Sequence, residues 1–325
     1  MAKSAVYRRR PIARGKSAFI TRADFGHVAE LSYLLSQVLL IDEGRWEQVA
    51  LRRAQVKRGA GLDASFAERA EKVLGVCMSR DQAAELRMAS IAGRIEHHMQ
   101  ILKERCPGRW MCPIDMLNTS AIDAALQRGR GIVLWVAHFA FNSLATKKAF
   151  SARGLNVHHL SRPEHGFSKS RVGQAILNPI RAGAEDRYLA SRLMIRGNPA
   201  STMLAAHRLL AKNAIVSITA GDWEGSSLAS VPFGEAWLPL ATGAPALAFS
   251  SGAALLPVFT VRTGQGQRNL SVSIGDQIQF ADGHTRAEAV DLALADYGRQ
   301  TLEWVRRFPG QWRGWSSVSL KRGDD

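Results

Sequence analysis

The chain has 325 residues, of which 46% are hydrophobic and 22% charged, and its formal net charge at pH 7 is +15. This apolar content excludes a disordered chain. The chain has only three cysteines, which excludes a disulfide-stabilised scaffold, and they form no CxxC pair, which fits a reducing compartment. The length is sufficient for one large folded unit or two smaller ones.

The positive charge is concentrated at the N-terminus, where seven Lys and Arg residues precede the first acidic residue, Asp24. We predict a basic arm over residues 1–24, attracted to nucleic acid, an anionic membrane or an acidic protein. Behind it, six apolar residues fall on one face of a predicted helix, and this face fits either a membrane surface or packing within the fold. They are Val28, Leu31, Leu34, Leu35, Val38 and Leu39.

The longest uncharged stretch, residues 238–261, contains three prolines and two glycines. We therefore interpret it as a buried turn, helix and strand and not as a transmembrane helix.

Two further regions follow the arm: a helical one over 25–126, without a strong strand signal, and an α/β domain over 127–318. Within the α/β domain the pattern alternates between short apolar strands and helices, which predicts a mostly parallel sheet with crossover helices. The predicted strands are 132–136, 156–160, 214–219, 255–261 and a half-exposed one at 270–274. One predicted helix follows the first strand, runs through Lys148 and stops at Gly154, and two more cover 199–210 and 244–249. A last, long helix begins at a capping box formed by Thr285 and Glu288 and runs to Pro309.

His138 directly follows the first buried strand of the α/β domain. In an open α/β sheet, ligands bind beyond the carboxyl ends of the strands, so a histidine at this position is placed to act as a general base. A lone histidine is more often a hydrogen-bonded core residue, and the surrounding motifs decide between these two interpretations.

Six motifs in order resemble the lipid A biosynthesis acyltransferases, which are bacterial enzymes related to the glycerolipid acyltransferases. The resemblance extends from about Gly129 to Trp312 and more weakly into the N-terminal helices. The motifs are Gly129 to Leu134 with His138; Ser161-Arg162-Pro163; Asp222 after a strand; Val231 to Gly234 with Leu240 to Ala244; Leu256 to Phe259 with Arg262; and Glu303 with Pro309 to Trp312.

The resemblance implies a glycerolipid-acyltransferase-like fold, a mixed, mostly parallel sheet flanked by helices and preceded by a helical region. It also implies transfer of a fatty acyl chain from acyl carrier protein or acyl-CoA to a hydroxyl or amine, with His138 as general base. No cofactor or metal is required, since the thioester is a co-substrate. Arg162 is then a candidate for binding phosphate or developing negative charge, with Asn142, Ser143, Phe233 and Gly234 as further candidate substrate-binding residues.

The chain departs from the family pattern at one position. The family has Asp or Glu five residues after the histidine, where this chain has Ser143. Three explanations remain open. Asn142 or Ser143 orients the imidazole; or a carboxylate from another loop replaces the acid, with Asp222, Glu224 and Glu164 as candidates; or the chain has lost catalysis and keeps a binding pocket.

The implied partners are acyl carrier protein or a CoA thioester, an anionic membrane surface, and a lipid or small-molecule acceptor. We expect a peripheral protein on the inner face of the cytoplasmic membrane, with a pocket of acyl-chain width beside His138. A nucleic-acid partner is not expected, because the chain has no recognisable reading motif. A zinc site is not expected either, because His97, His98, Cys106 and Cys112 match no common ligand spacing.

Overall fold

The structure, a computed structural model, describes residues 6–9, 18–56, 64–195, 199–221, 225, 227–264 and 269–321. These parts of the chain form an N-terminal helical region followed by a mixed α/β unit with a mostly parallel sheet. The predicted fold class is therefore confirmed.

Four helices form the N-terminal region: α1 (Arg22–Leu40), α2 (Trp46–Val56), α3 (Ala64–Leu74) and α4 (Arg80–Arg105). Capping boxes fix the beginnings of α1 and α4, because Thr21 pairs with Asp24 and Ser79 with Gln82. The predicted apolar stripe of α1 divides in two. Leu31, Leu34 and Val38 pack in the core with α4, whereas Val28 and Leu39 remain 49% and 63% exposed.

The larger sheet has seven strands: β2 (Ile114–Leu117), β3 (Ile132–Val136), β4 (Val157–Ser161), β5 (Ser191–Met194), β6 (Ile215–Thr219), β9 (Ala254–Arg262) and β10 (Leu270–Ile274). Their order across the sheet is β2-β10-β9-β3-β6-β4-β5. Neighbouring strands are parallel except β9 and β10. Hence β3, β4, β5 and β6 all end at the same edge of the sheet.

Two strand predictions need correction. β2 lies in the region predicted to be helical, where it pairs with β10 in parallel. β10 was predicted to be half-exposed, but all five of its residues are buried. The reason is its position between β2 and β9, where even Ser271 and Ser273 are covered.

The remaining helices are α5 (Ser120–Gln127), α6 (Asn142–Ala152), α7 (Arg171–Ile176), α8 (Asn178–Glu185), α9 (Pro199–Leu210), α10 (Gly243–Ser251) and α11 (Arg286–Arg307). Both faces of β3 are covered: Trp135 stacks on Tyr297 of α11, and Leu134 shares a core with Phe150 of α6. A strand buried on both faces is the expected centre of a parallel sheet. The capping box predicted for the last helix is confirmed at Thr285 and Glu288.

A smaller antiparallel sheet consists of β1 (Val6–Arg9), β7 (Ser227–Phe233) and β8 (Ala236–Ala241), in the order β1-β7-β8. Part of the predicted basic arm therefore forms a strand. The uncharged stretch at 238–261 is the end of β8, then α10 and most of β9. The helix and the final strand are as predicted, but the residues predicted to form a turn at its beginning belong to a strand. Among the described helices, none combines the length and apolar character needed to span a bilayer.

Candidate active site at the carboxyl end of the central strand

His138 lies two residues beyond β3, and a segment near the C-terminus fixes its backbone. Its carbonyl oxygen accepts a hydrogen bond from the backbone N–H of Arg313 at 2.9 Å. Phe139 and Trp312 form an antiparallel bridge, and the N–H of Ala140 donates to the carbonyl of Gln311 at 2.7 Å. The Pro309 to Trp312 motif singled out in the sequence therefore positions the segment that carries the histidine.

The electrostatic surroundings of His138 favour a neutral imidazole. Burial lowers its pKa well below the usual value, and the positive charges of Arg313 and Arg181 lower it further. A neutral imidazole is the form that can accept a proton, and the nearby cations are suited to stabilise negative charge.

The cavity that borders His138 has a volume of about 20 Å³. This volume is sufficient for about one water molecule and not for an acyl chain. The residues that fill the space are large and mostly apolar, among them Leu238, Tyr297 and Trp312. The cavity that the described residues line beside His138 is therefore smaller than the acyl-width pocket that the sequence predicts there.

Two of the three predicted catalytic residues, Asp222 and Glu224, lie outside the described residues, and their roles stay predictions. Gly221, the last described residue before them in the chain, borders the cavity beside His138. Glu164, the third candidate for a replacement acid, is exposed in the loop after β4 and borders neither this cavity nor the cleft described below.

Ser143 and Asn142 both lie in the first turn of α6 and are buried. Ser143 does not face a solvent-filled pocket; its hydroxyl donates a short hydrogen bond to the carboxylate of Glu185 on α8. It also accepts a hydrogen bond from the Arg181 guanidinium at 3.1 Å. At the position where the family has its acid, the chain therefore has a serine in contact with a different carboxylate.

Glu185 is fully buried at the centre of a charged network. Its carboxylate is 2.9 Å from Nε2 of His165, 3.0 Å from Arg181, 3.0 Å from Arg192 and 3.3 Å from Lys147. Burial by itself raises the pKa of Glu185, but His165, Lys147 and Arg181 hold it well below its usual value.

The pKa values of two basic partners of Glu185 are lowered as well, which favours the neutral form of these bases. Burial is the main cause that lowers the pKa of His165 to about 4 and that of Lys147 to about 8. At neutral pH this network therefore contains an ionised Glu185, a neutral His165 and a partly buried surplus of positive charge.

Arg162 lies at the carboxyl end of β4 and borders a much larger opening, which we call the polar cleft. Its volume is about 720 Å³. Besides Arg162, its lining includes Ser161, His165, Arg171, Asn178 and Arg192. The role of Arg162 in binding phosphate or stabilising negative charge stays a prediction.

Phe233 and Gly234 lie away from both openings. Phe233 is fully buried, with its ring centroid 5.2 Å from that of Trp312. Gly234, with a φ of +67°, forms the turn between β7 and β8 directly against the backbone of α3. Their placement thus indicates packing, and contact with a substrate stays a prediction.

The sequence reasoning missed three residues of the site region, Arg181, Glu185 and Arg313, and considered His97 only as a zinc ligand. His97 on α4 is fully buried, and its ring nitrogens have no hydrogen-bond partner among the described residues. The one signal visible in the sequence was the four-residue spacing of Arg181 and Glu185, which is common on exposed helices. Nothing local reveals that this pair is buried.

No family model matches the chain, and no curated protein matches it. Among solved structures, the chain is similar to the 1-acyl-sn-glycerophosphate (LPA) acyltransferase PlsC from Thermotoga maritima, with a TM-score of 0.39 and 10% identity. The match covers 87% of this chain and 98% of that one. At this level of similarity the match assigns no activity and no residue role to the chain.

Proposed function

We propose that the chain is an acyltransferase that moves a fatty acyl group from a thioester, on acyl carrier protein or CoA, to a hydroxyl or amine of a lipid or small-molecule acceptor. The observation that carries this proposal is the placement of His138. It is buried at the carboxyl end of the central parallel strand, and its pKa is lowered so that the imidazole is neutral.

The proposed reaction begins when His138 accepts the proton of the acceptor hydroxyl or amine. The acceptor oxygen or nitrogen bonds to the thioester carbonyl carbon, whose oxygen becomes an oxyanion. Arg313 and Arg181, the charges that act on His138, are suited to stabilise this oxyanion. The intermediate collapses, the carbon–sulfur bond breaks, and the protonated His138 returns the proton to the leaving thiolate.

The polar cleft supports a role for Arg162 in holding the acceptor. Its opening is at the same edge of the sheet as His138, and Arg162 and Arg171 both line it. We assign the polar group of the acceptor to this cleft. The net charge of +15 would attract the acidic acyl carrier protein or CoA that carries the acyl group.

The test is mass spectrometry of the purified protein incubated with mixed acyl groups on acyl carrier protein or CoA and a bacterial lipid extract. An acylated product that His138→Ala abolishes supports the proposal. His207→Ala, a histidine on α9, is the matched control and should retain activity. Full activity in folded His138→Ala excludes His138 as the base.

A second candidate function is acyl-chain or lipid binding without catalysis. One observation favours it: Ser143 stands at the position of the family's acid. Bound acyl chains in the same mass spectra, with no product and no thioester hydrolysis, would favour this function over transfer.

Contact with an anionic membrane surface is a further part of the proposal. On α1 the side chains of Phe25, Val28 and Leu39 are 65%, 49% and 63% exposed, behind the basic N-terminal residues. Apolar side chains next to basic ones are typical of surface-bound helices. Co-sedimentation with vesicles containing phosphatidylglycerol should fall in Phe25→Ser/Leu39→Ser, and unchanged sedimentation would exclude α1 as the contact.

A further inference from the structure

Asp24, the first acidic residue of the chain, connects α1 to the loop that precedes α7. Only 4% of its surface is exposed, and its two carboxylate oxygens have different partners. Oδ2 accepts hydrogen bonds from the backbone N–H and the hydroxyl of Thr21, at 2.6 and 2.8 Å, and so forms the capping box of α1. Oδ1 accepts a short hydrogen bond from the hydroxyl of Ser168. One oxygen thus caps its own helix, and the other binds a loop that is distant in the chain.

A series of hydrogen bonds leads from Asp24 to the first turn of α7. The backbone N–H of Ser170 donates to the hydroxyl oxygen of Ser168 at 3.1 Å, and the N–H of Gly173 donates to the hydroxyl oxygen of Ser170 at 2.9 Å. The helix also lies directly against the carboxylate, because a Cβ atom added to Gly173 would lie 2.8 Å from Oδ1 of Asp24. The position of Asp24 therefore affects where α7 begins.

The backbone of residues 18–24, which we call the strap, is attached to α7 as well. The N–H groups of Arg171 and Val172 donate to the carbonyl oxygens of Ala18 and Phe19, at 2.9 and 3.0 Å. The first N–H groups of a helix have no partner within the helix. The strap provides acceptors for two of them.

Packing alone does not explain the position of α7. Among its six residues only Gly173 is buried, and a glycine contributes no side chain to a core. A helix of this length is not stable by itself. Ser168, in contrast, is well fixed, because the side-chain oxygen of Asn178 accepts hydrogen bonds from the N–H groups of Phe167 and Ser168 at 2.8 and 2.9 Å. The hydrogen bonds to Asp24 and the strap therefore contribute much of what holds the beginning of α7.

The position of α7 matters for the polar cleft, because the helix contributes Arg171, Gln174 and Ala175 to its lining. Asp24 does not itself border the cleft. A displacement of α7 would move the Arg171 guanidinium and the Gln174 amide, and so change both the shape and the charge of the cleft.

We propose that Asp24 is a positioning residue for the polar cleft: by binding Ser168 it holds α7 in the place where Arg171 and Gln174 line the cleft. That the ligand of this cleft is the acceptor of acyl transfer rests on the proposed function. The attachment of α7 to the strap does not depend on it.

The first test measures amide hydrogen exchange of residues 168–176 in the full chain. Ser168→Ala removes the hydroxyl that binds Asp24 and leaves the capping box of α1 intact, whereas Asp24→Asn removes the charge from both contacts. Exchange in residues 168–176 should become about tenfold faster in each variant, the effect of losing one hydrogen bond to a charged group.

The matched control is Glu288→Gln, in the capping box of α11. Glu288 accepts hydrogen bonds from the N–H and the hydroxyl of Thr285, at 2.8 and 2.7 Å, as Asp24 does from Thr21, but it is exposed and does not border the cleft. Its exchange in residues 168–176 should equal that of the wild type. The Tm of each variant shows whether it is folded, and Ser168→Ala decides if Asp24→Asn is not. Wild-type exchange in the folded variants of Asp24 and Ser168 would overturn the proposal.

The second test separates positioning from a purely structural role. Acyl transfer is measured with a saturating acyl carrier protein thioester and a varied concentration of bacterial lipid extract. Ser168→Ala should raise the apparent KM for the extract about tenfold and change kcat by less than about twofold, since only the binding of the acceptor is affected. Its KM for the thioester should not change.

The outcomes distinguish the two proposals. An unchanged KM for the extract in Ser168→Ala would mean that the position of α7 does not affect the acceptor, and would overturn the role of Asp24 in the cleft. A wild-type protein that transfers no acyl group would contradict the proposed function, and hydrogen exchange would still decide whether Asp24 holds α7.

Discussion

The hydroxyl of Ser143 donates a hydrogen bond to the fully buried carboxylate of Glu185. The residue five positions after His138 is therefore connected to an acid, although it is not one itself. Glu185 interacts in turn with Arg181, whose charge acts on His138. Through Arg181, the charged network extends from the polar cleft to His138.

Replacing Ser143 with the acid expected from the family pattern should harm the protein. Ser143→Asp would place a second carboxylate against Glu185 in a buried site, and two carboxylates at this distance cannot both ionise cheaply. We expect a loss of about 3 kcal/mol or more in the free energy of unfolding. Ser143→Ala removes the hydrogen bonds of the hydroxyl with Glu185 and Arg181 but adds no charge, so it should cost less, about 1.5 kcal/mol.

Urea denaturation of both variants at neutral pH checks this prediction. The prediction requires Ser143→Asp to have a lower free energy of unfolding than Ser143→Ala. A Ser143→Asp variant as stable as the wild type would mean that the space beside Ser143 accepts an acid, and an accompanying gain in acyl transfer would show that the network described here is not needed.

Glu185 should be the most important single charge for stability in this region. Glu185→Gln keeps the shape but leaves Lys147 and Arg181 without their carboxylate, which typically costs about 3–5 kcal/mol in a buried pair. Glu235→Gln is the control, because Glu235 has a similar ion pair with Lys72 at an exposed position. The control should change little, since exposed pairs contribute little.

The same denaturation experiment measures both variants. If Glu185→Gln and Glu235→Gln have equal stabilities, the buried network does not depend on the charge of Glu185. In that case its positive groups must be solvated or compensated in another way.

Acid should destabilise the protein in two overlapping steps. The pKa of His165 is lowered from 6.5 to about 4, so the unfolded chain takes up a proton first and stability falls as the pH drops from 6.5 towards 4. The pKa of Glu185 is also lowered, so its contribution is present above its unfolded value of 4.5 and is lost as the pH falls further. The lowered pKa values of His97, His138 and His159 act in the same direction as that of His165.

His165→Gln isolates part of the first step, because glutamine can still donate a hydrogen bond to Glu185 but does not titrate. The loss of unfolding free energy between pH 6.5 and 4 should be smaller in this variant than in the wild type. His207→Gln, outside the network, should leave the slope unchanged. Identical slopes for all three proteins would show that His165 is not held neutral in the folded state.

The sequence predicted those features of the fold that depend on neighbouring residues. The apolar run before His138 gave β3, and the capping box at Thr285 gave the beginning of α11. The hairpin of β7 and β8 was missed because it contains Pro232 and Pro239, and proline argues against a strand. Here the prolines lie in a small antiparallel sheet of three strands.

The candidate site could be predicted only in part, because contacts between segments distant in the chain position most of its residues. His138 was found because it follows a strand directly, so local sequence determines its place. Glu185 and Arg313 act through contacts between α4, α6, α8 and the C-terminal segment, which are distant in the chain. Their spacing carries no information about burial, and burial is what makes their charges important.

Two glycines just before β3, Gly129 and Gly131, differ in the space available for a Cβ atom, and their alanine variants test this difference. Gly129 and Gly131 have φ values of +71° and +73°, so alanine is strained at both. A Cβ at Gly129 would meet nothing within 4 Å, but at Gly131 it would lie 2.7 Å from the carbonyl oxygen of Ala214. Gly129→Ala should therefore cost about 1 kcal/mol, and Gly131→Ala about 3 kcal/mol or more. Because Gly131 directly precedes β3, its variant should also lower any His138-dependent activity; equal unfolding free energies for the two variants would contradict this close contact.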